Sequence, residues 1–120
     1  MTPRRPCIFD IADFDEDVLR ASAELPVLVD FWAEWCSPCA ALTRVLEQLV
    51  EERDGAVLLA RFDVGADREL ASQLGVESLP AVKLYRHGQV VDGFTGQLPK
   101  MQVRAFLDRQ LADSSETTGS

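Results

Sequence analysis

The stretch Leu25-Pro26-Val27-Leu28-Val29-Asp30-Phe31-Trp32-Ala33-Glu34-Trp35-Cys36-Ser37-Pro38-Cys39 decides the fold. From Leu25 to Trp32 it is apolar on both parities, interrupted only by Pro26 and Asp30. A strand of that kind is covered on both faces, which puts it at the centre of an α/β sheet. From Pro38 onward, Leu42, Val45, Leu46, Leu49 and Val50 recur with helical spacing, so a long helix runs to about Arg53 and stops before Asp54-Gly55. Cys36 and Cys39 thus fall at the junction between the most buried strand and the longest helix. Open α/β sheets hold their ligands at such junctions.

Working outward, Ile8-Phe9 reads as a short strand, and Phe14, Val18 and Ala21 mark a first helix with Asp13 as its cap. Ala56 to Val64 reads as a second central strand, joined to the first through the long helix in a right-handed βαβ unit. Leu70, Ala71 and Leu74 mark a short helix ended by Gly75. After Pro80, Ala81 to Tyr85 alternates, Arg86-His87-Gly88-Gln89 turns, and Val90 to Phe94 returns, which is a hairpin. Val103, Phe106, Leu107 and Leu111 place a last helix over one sheet face. The expected class is therefore α/β, with a central mixed sheet of about five strands and about four helices. One domain is expected over residues 1–112, followed by a polar, disordered tail over 113–120.

Composition narrows the functional classes. The 120 residues carry 12 Lys and Arg against 20 Asp and Glu, a formal charge of −8, and no more than two basic residues stand together. That balance argues against nucleic acid and against a polybasic membrane anchor. Arg4-Arg5 precedes no apolar segment, so no export signal is expected, and the longest apolar runs fall far short of a membrane span. The expected location is cytoplasmic. Three cysteines are too few for a secreted disulfide framework.

Residues three apart at a helix start have α-carbons about 5–6 Å apart, within reach of a disulfide that opens and closes locally. Unpaired backbone amides and the positive end of the helix dipole favour a thiolate at Cys36, which makes it the nucleophile. Cys39, one turn deeper, is shielded and positioned to attack a mixed disulfide formed by Cys36. Pro38 is tolerated in a first helical turn because no amide is needed there. Two other readings stand beside redox exchange. Half of a zinc site would have to be completed by Cys7 and His87, neither of which lies in a second paired motif, and a buried thiol pair away from charge would be inert. His87 in the hairpin turn reads as a solvated imidazole, and Cys7 as an unpaired thiol without function.

Val29 to Cys39, with its Trp35-Cys36-Ser37-Pro38-Cys39 core, resembles the active-site segment of thioredoxins, with Ser37 where Gly is usual. The resemblance continues through Leu79-Pro80, similar to the family's cis-proline turn, and through Gly88 and Gly96, and covers about residues 8 to 112. It implies a thioredoxin fold and a protein-disulfide reductase working through Cys36 and Cys39. Burial should raise the pKa of Asp30, and the resemblance makes it the proton acceptor for Cys39. It also implies a shallow groove lined by Trp35, Ser78, Leu79, Pro80, Thr95, Gly96 and Gln97, which would bind an extended substrate chain. No bound cofactor or metal is expected. Electrons would come from an NADPH-dependent flavoprotein reductase, the partners would be protein disulfides, and the chain would act as a monomer.

The sequence departs from the common pattern in four places. Ala40 removes a positive charge beside Cys39, Ser37 adds a hydroxyl near the thiolate, and Glu77-Ser78 replaces Arg-Gly before the proline turn. Arg61 stands where Lys is common, and a permanent guanidinium there is expected to hold Asp30 more firmly ionised. The alternative reading of the same features is a partner-binding or chaperone module with little turnover. A disulfide-forming oxidant would need an export signal and a more stabilised thiolate.

Overall fold

A computed structural model describes residues 6–119, with side chains described through residue 111. The Arg4-Arg5 pair lies outside the described residues. β1 is Ile8–Asp10, β2 Val27–Trp32, β3 Leu58–Asp63, β4 Ala81–Arg86 and β5 Gln89–Thr95. The main helices are α1, Ser37–Glu51, α2, Arg68–Gln73, and α3, Lys100–Gly119. A further helical segment precedes β2. It is π-helical over Asp15–Arg20 and tightens to a 3-10 turn over Ala21–Ala23. The Asp13 carboxylate accepts the Glu16 amide at 3.3 Å, and Asp17 folds back to accept the amides of Ala12 and Asp13. This reciprocal capping satisfies amides that have no partner inside the helix.

The five strands form one mixed sheet in the order β1-β3-β2-β4-β5. β1 and β2 flank β3 in parallel, and β4 and β5 are antiparallel. β2 therefore occupies the middle of the sheet, as its two-sided apolar pattern implies. The alternation of its side chains divides the core in two. Leu28 faces α1 and α3, among Leu42, Leu46, Leu49, Leu59, Leu84 and Leu107. Val27, Val29 and Phe31 face the N-terminal helical segment and α2, among Phe14, Val18, Phe62 and Tyr85. Asp30 shares its parity with Leu28 and so points beneath α1.

The hairpin strands reach further than the alternation alone indicates, to Arg86 and Gln89, leaving a two-residue turn at His87-Gly88. Both turn residues have positive φ, 52° and 77°, as the hairpin twist requires. Ser22 anchors this turn, because its carbonyl accepts the His87 amide and its hydroxyl accepts the Gly88 amide, both at 2.8 Å. At the far end of the chain the α3 backbone runs on to Gly119, over the segment read from sequence as a polar tail. The side chains of that segment lie outside the described residues.

Candidate active site

The turn between β2 and α1 carries the two cysteines. Cys36 has extended backbone and forms the N-cap of α1, and Pro38 sits in the first turn. No acidic residue lies in that turn to oppose negative charge on the Cys36 sulfur. Cys36 and Cys39 are disulfide-bonded, with α-carbons 5.4 Å apart. Cys39 is 1% exposed and Cys36 half-buried, so the two sulfurs differ in access as their depth in the helix implies. Ser37 and Ala40 are exposed beside them.

Asp30 is fully buried and belongs to the same sheet face as the helix that carries the cysteines. Thr43, on α1, donates its hydroxyl hydrogen to Asp30 Oδ2 at 2.5 Å. Oδ1 has no hydrogen-bond partner among the described residues. Burial pushes the carboxyl pKa from 3.8 up to about 6, against the pull of the Thr43 hydrogen bond and of the Arg61 charge. Arg61 acts in the expected direction but is outweighed. It lies level with Asp30 in the parallel β2–β3 register, yet its guanidinium pairs with Glu47 at 3.0 Å and Asp10 at 2.8 Å. The Glu47 charge raises the Asp30 pKa and offsets part of what Arg61 contributes.

A shallow groove of about 520 Å³ runs past the exposed side of the disulfide, lined by Trp35, Cys36, Pro38, Val76, Ser78 and Leu79 among others. Trp35 is 58% exposed, and the Arg68 guanidinium stacks over its ring at 4.8 Å. The Leu79-Pro80 peptide bond is cis. Pro80 itself is buried behind the groove, and its carbonyl accepts the Gly96 amide at 2.8 Å. Thr95 pairs with Ala81 and lines an adjoining depression that shares Val76 and Glu77 with the groove. Of the residues expected along the groove, Trp35, Ser78 and Leu79 line it directly, Thr95 lines the adjoining depression, Pro80 is buried and bonded to Gly96, and Gln97 lines neither hollow.

The zinc reading fails on geometry. Cys7 meets β3 at Leu59, near its start, and His87 follows β4 at the level where β2 begins. Both lie at the end of the sheet opposite Cys36 and Cys39.

The family model described as Thioredoxin matches residues 6–109. The chain belongs to the thioredoxin family. A protein from Caenorhabditis elegans described as "Probable thioredoxin-2" is 43% identical over 108 residues, spanning 88% of this chain and 73% of the relative. "Thioredoxin" from Synechocystis sp. (strain ATCC 27184 / PCC 6803 / Kazusa) is 38% identical over 100 residues, 83% of this chain and 92% of its own. "Thioredoxin C-2" from Corynebacterium nephridii is 39% identical over 99 residues, 82% and 90% respectively. With its cysteine pair at disulfide distance, this thioredoxin-family chain is a thiol-disulfide oxidoreductase with disulfide reductase activity. The mixed five-stranded sheet is the thioredoxin fold. Thioredoxins need no bound cofactor, and no helix among the described residues is long and apolar enough to cross a membrane.

Sequence reasoning missed three residues at this site. Thr43 and Glu47 follow Cys39 at intervals of four, so all three lie on one helix face, a pattern visible in the sequence but obscured by the stronger apolar repeat beside it. Arg68 meets Trp35 across a loop, and no local signal announces such a contact.

Proposed function

We propose that the chain reduces disulfides of other proteins in two exchanges, with Cys36 attacking and Cys39 resolving. The Cys36 thiolate attacks one substrate sulfur, the substrate S–S bond breaks, and the first substrate thiolate leaves a mixed disulfide behind. Cys39 then passes its proton to the Asp30 carboxylate and attacks the Cys36 sulfur. The mixed disulfide breaks, the second substrate thiolate departs, and the Cys36–Cys39 bond carries away the two electrons' worth of oxidation. The observation that carries this reading is the asymmetry of the pair: Cys36 at the amino end of α1 beside an open groove, Cys39 buried on the side of Asp30.

Trp35, Ser78 and Leu79 hold the substrate chain, with Pro80, Thr95 and Gly96 behind it. Ser37 and Pro38 shape the helix start. The substrates are protein disulfides, the electron donor is an NADPH-dependent flavoprotein reductase of the thioredoxin reductase kind, and the chain works as a cytoplasmic monomer. Insulin reduction by dithiothreitol tests the reading. The protein should accelerate it and Cys36→Ser should abolish the acceleration, whereas undiminished activity in that variant would remove the mechanism.

A further inference from the structure

Cys39, Thr43 and Glu47 stand one above another on α1, over the Asp30–Arg61 pair of β2 and β3. A cleft of about 420 Å³ on this side of the molecule is lined by Cys39, Thr43, Arg44, Glu47 and Arg61, among others, and opens to solvent. It is separate in its lining from the substrate groove except at Cys36. Asp30 itself has no exposure. Thr43 is the half-exposed residue that both lines the cleft and holds the buried carboxylate.

We propose that Thr43 is a positioning residue for the resolving step: its hydroxyl occupies Oδ2 of Asp30, keeps the carboxylate ionised and leaves Oδ1 as the oxygen that takes the Cys39 proton. This rests on the reading of Asp30 as proton acceptor. A hydroxyl has one hydrogen to give, and donating it to a buried carboxylate stabilises the charged form. Burial works in the opposite direction, and a carboxyl already protonated accepts nothing. The other charges on this face do little to relieve that conflict. Arg61 and Glu47 pair with each other, Asp10 holds the remaining side of the guanidinium, and Glu34 and Arg44, which also line the cleft, are exposed to solvent. Thr43 is the neutral donor that favours the base without adding a charge of its own. When the proton arrives on Oδ1, the hydroxyl stays on Oδ2, so no side chain has to be repositioned between the two protonation states. The cleft beside it lets the proton return to solvent after the substrate has left.

The test compares wild type, Thr43→Val and Thr43→Ser, each also in an Asp30→Asn background. Single-turnover resolution of a mixed disulfide is followed against pH, together with the carboxyl carbon resonance of Asp30. Thr43→Val should move the Asp30 titration and the alkaline-favouring limb of the rate profile upward by about one pH unit. Thr43→Ser should restore both, and in the Asp30→Asn background Thr43→Val should have no further effect on the profile. Should Thr43→Val fail to fold, Thr43→Ala carries the same comparison. An unmoved pH profile in a folded variant lacking the hydroxyl overturns the role of Thr43, as does a shift that persists without Asp30. If Asp30→Asn alone leaves the resolving rate unchanged, it is the proton-acceptor reading that falls.

Discussion

Arg61 lies level with Asp30 across the parallel β2–β3 pairing, yet its guanidinium is bound to Glu47 and Asp10. The buried carboxylate consequently gains less from its neighbouring cation than the strand register alone implies. Desolvation wins, and the Asp30 pKa stands near 6 instead of 3.8. Between those values Asp30 is more protonated in the folded protein than in the unfolded chain, so the contribution of this carboxyl to stability is largest below the lower value and is lost as pH rises through the upper one. Asp30→Asn should therefore stabilise the oxidised protein at pH 7 by about 3 kcal/mol, and the gain should vanish near pH 4. Urea unfolding at the two pH values measures this. An equal gain at both would place the effect elsewhere than in the carboxyl ionisation.

Removing the resolving sulfur should arrest the reaction half-way. Cys39→Ser mixed with an oxidised protein substrate should accumulate a covalent complex through Cys36, released by dithiothreitol. Mass spectrometry locates the linkage. A complex formed through Cys7 instead would contradict the assignment of roles.

Trp35 owes its place beside Cys36 partly to the Arg68 guanidinium over its ring. An exposed cation–π contact is worth about 0.5–1 kcal/mol. Arg68→Ala should raise the KM for a protein disulfide by about two- to fivefold with kcat little changed. Steady-state insulin reduction separates the two constants. A fall confined to kcat would mean that Arg68 acts on the chemistry and not on the platform.

Gly93 in β5 has no room for a side chain, since a Cβ there would lie 2.6 Å from the Val82 carbonyl oxygen. The obstacle is backbone of the adjacent strand, which cannot turn aside as a side chain would. Gly93→Ala should cost about 1–3 kcal/mol, read as a lowered urea midpoint. An unchanged midpoint would show that the hairpin is free to separate locally.

The parts of this molecule that one stretch of chain determines were legible in its sequence. β2 is recognisable because it is apolar on both parities, α1 because its leucines recur with helical spacing, and the cysteine pair because it lies between them. Asp30 stood out as the single charge in that strand. What was hidden depends on elements distant in sequence. The partition of Arg61 between Asp10 and Glu47 requires β1, β3 and α1 together, and the Thr43 hydrogen bond joins a helix to the strand beneath it over 13 residues. Arg68 reaches Trp35 only once α2 is packed. The π-helical segment before β2 carries the same apolar positions as an ordinary helix, so periodicity does not separate the two.

Thiol counting during a single encounter with substrate tests the exchange at Cys36 and Cys39 most directly. Reduced protein is mixed with excess oxidised insulin, quenched with a mass-tagged alkylating reagent at successive times, and digested. Cys36 and Cys39 should lose their thiols together while two insulin thiols appear for each protein molecule, with Cys7 unchanged throughout. Persistence of both thiols alongside oxidised insulin would contradict the account.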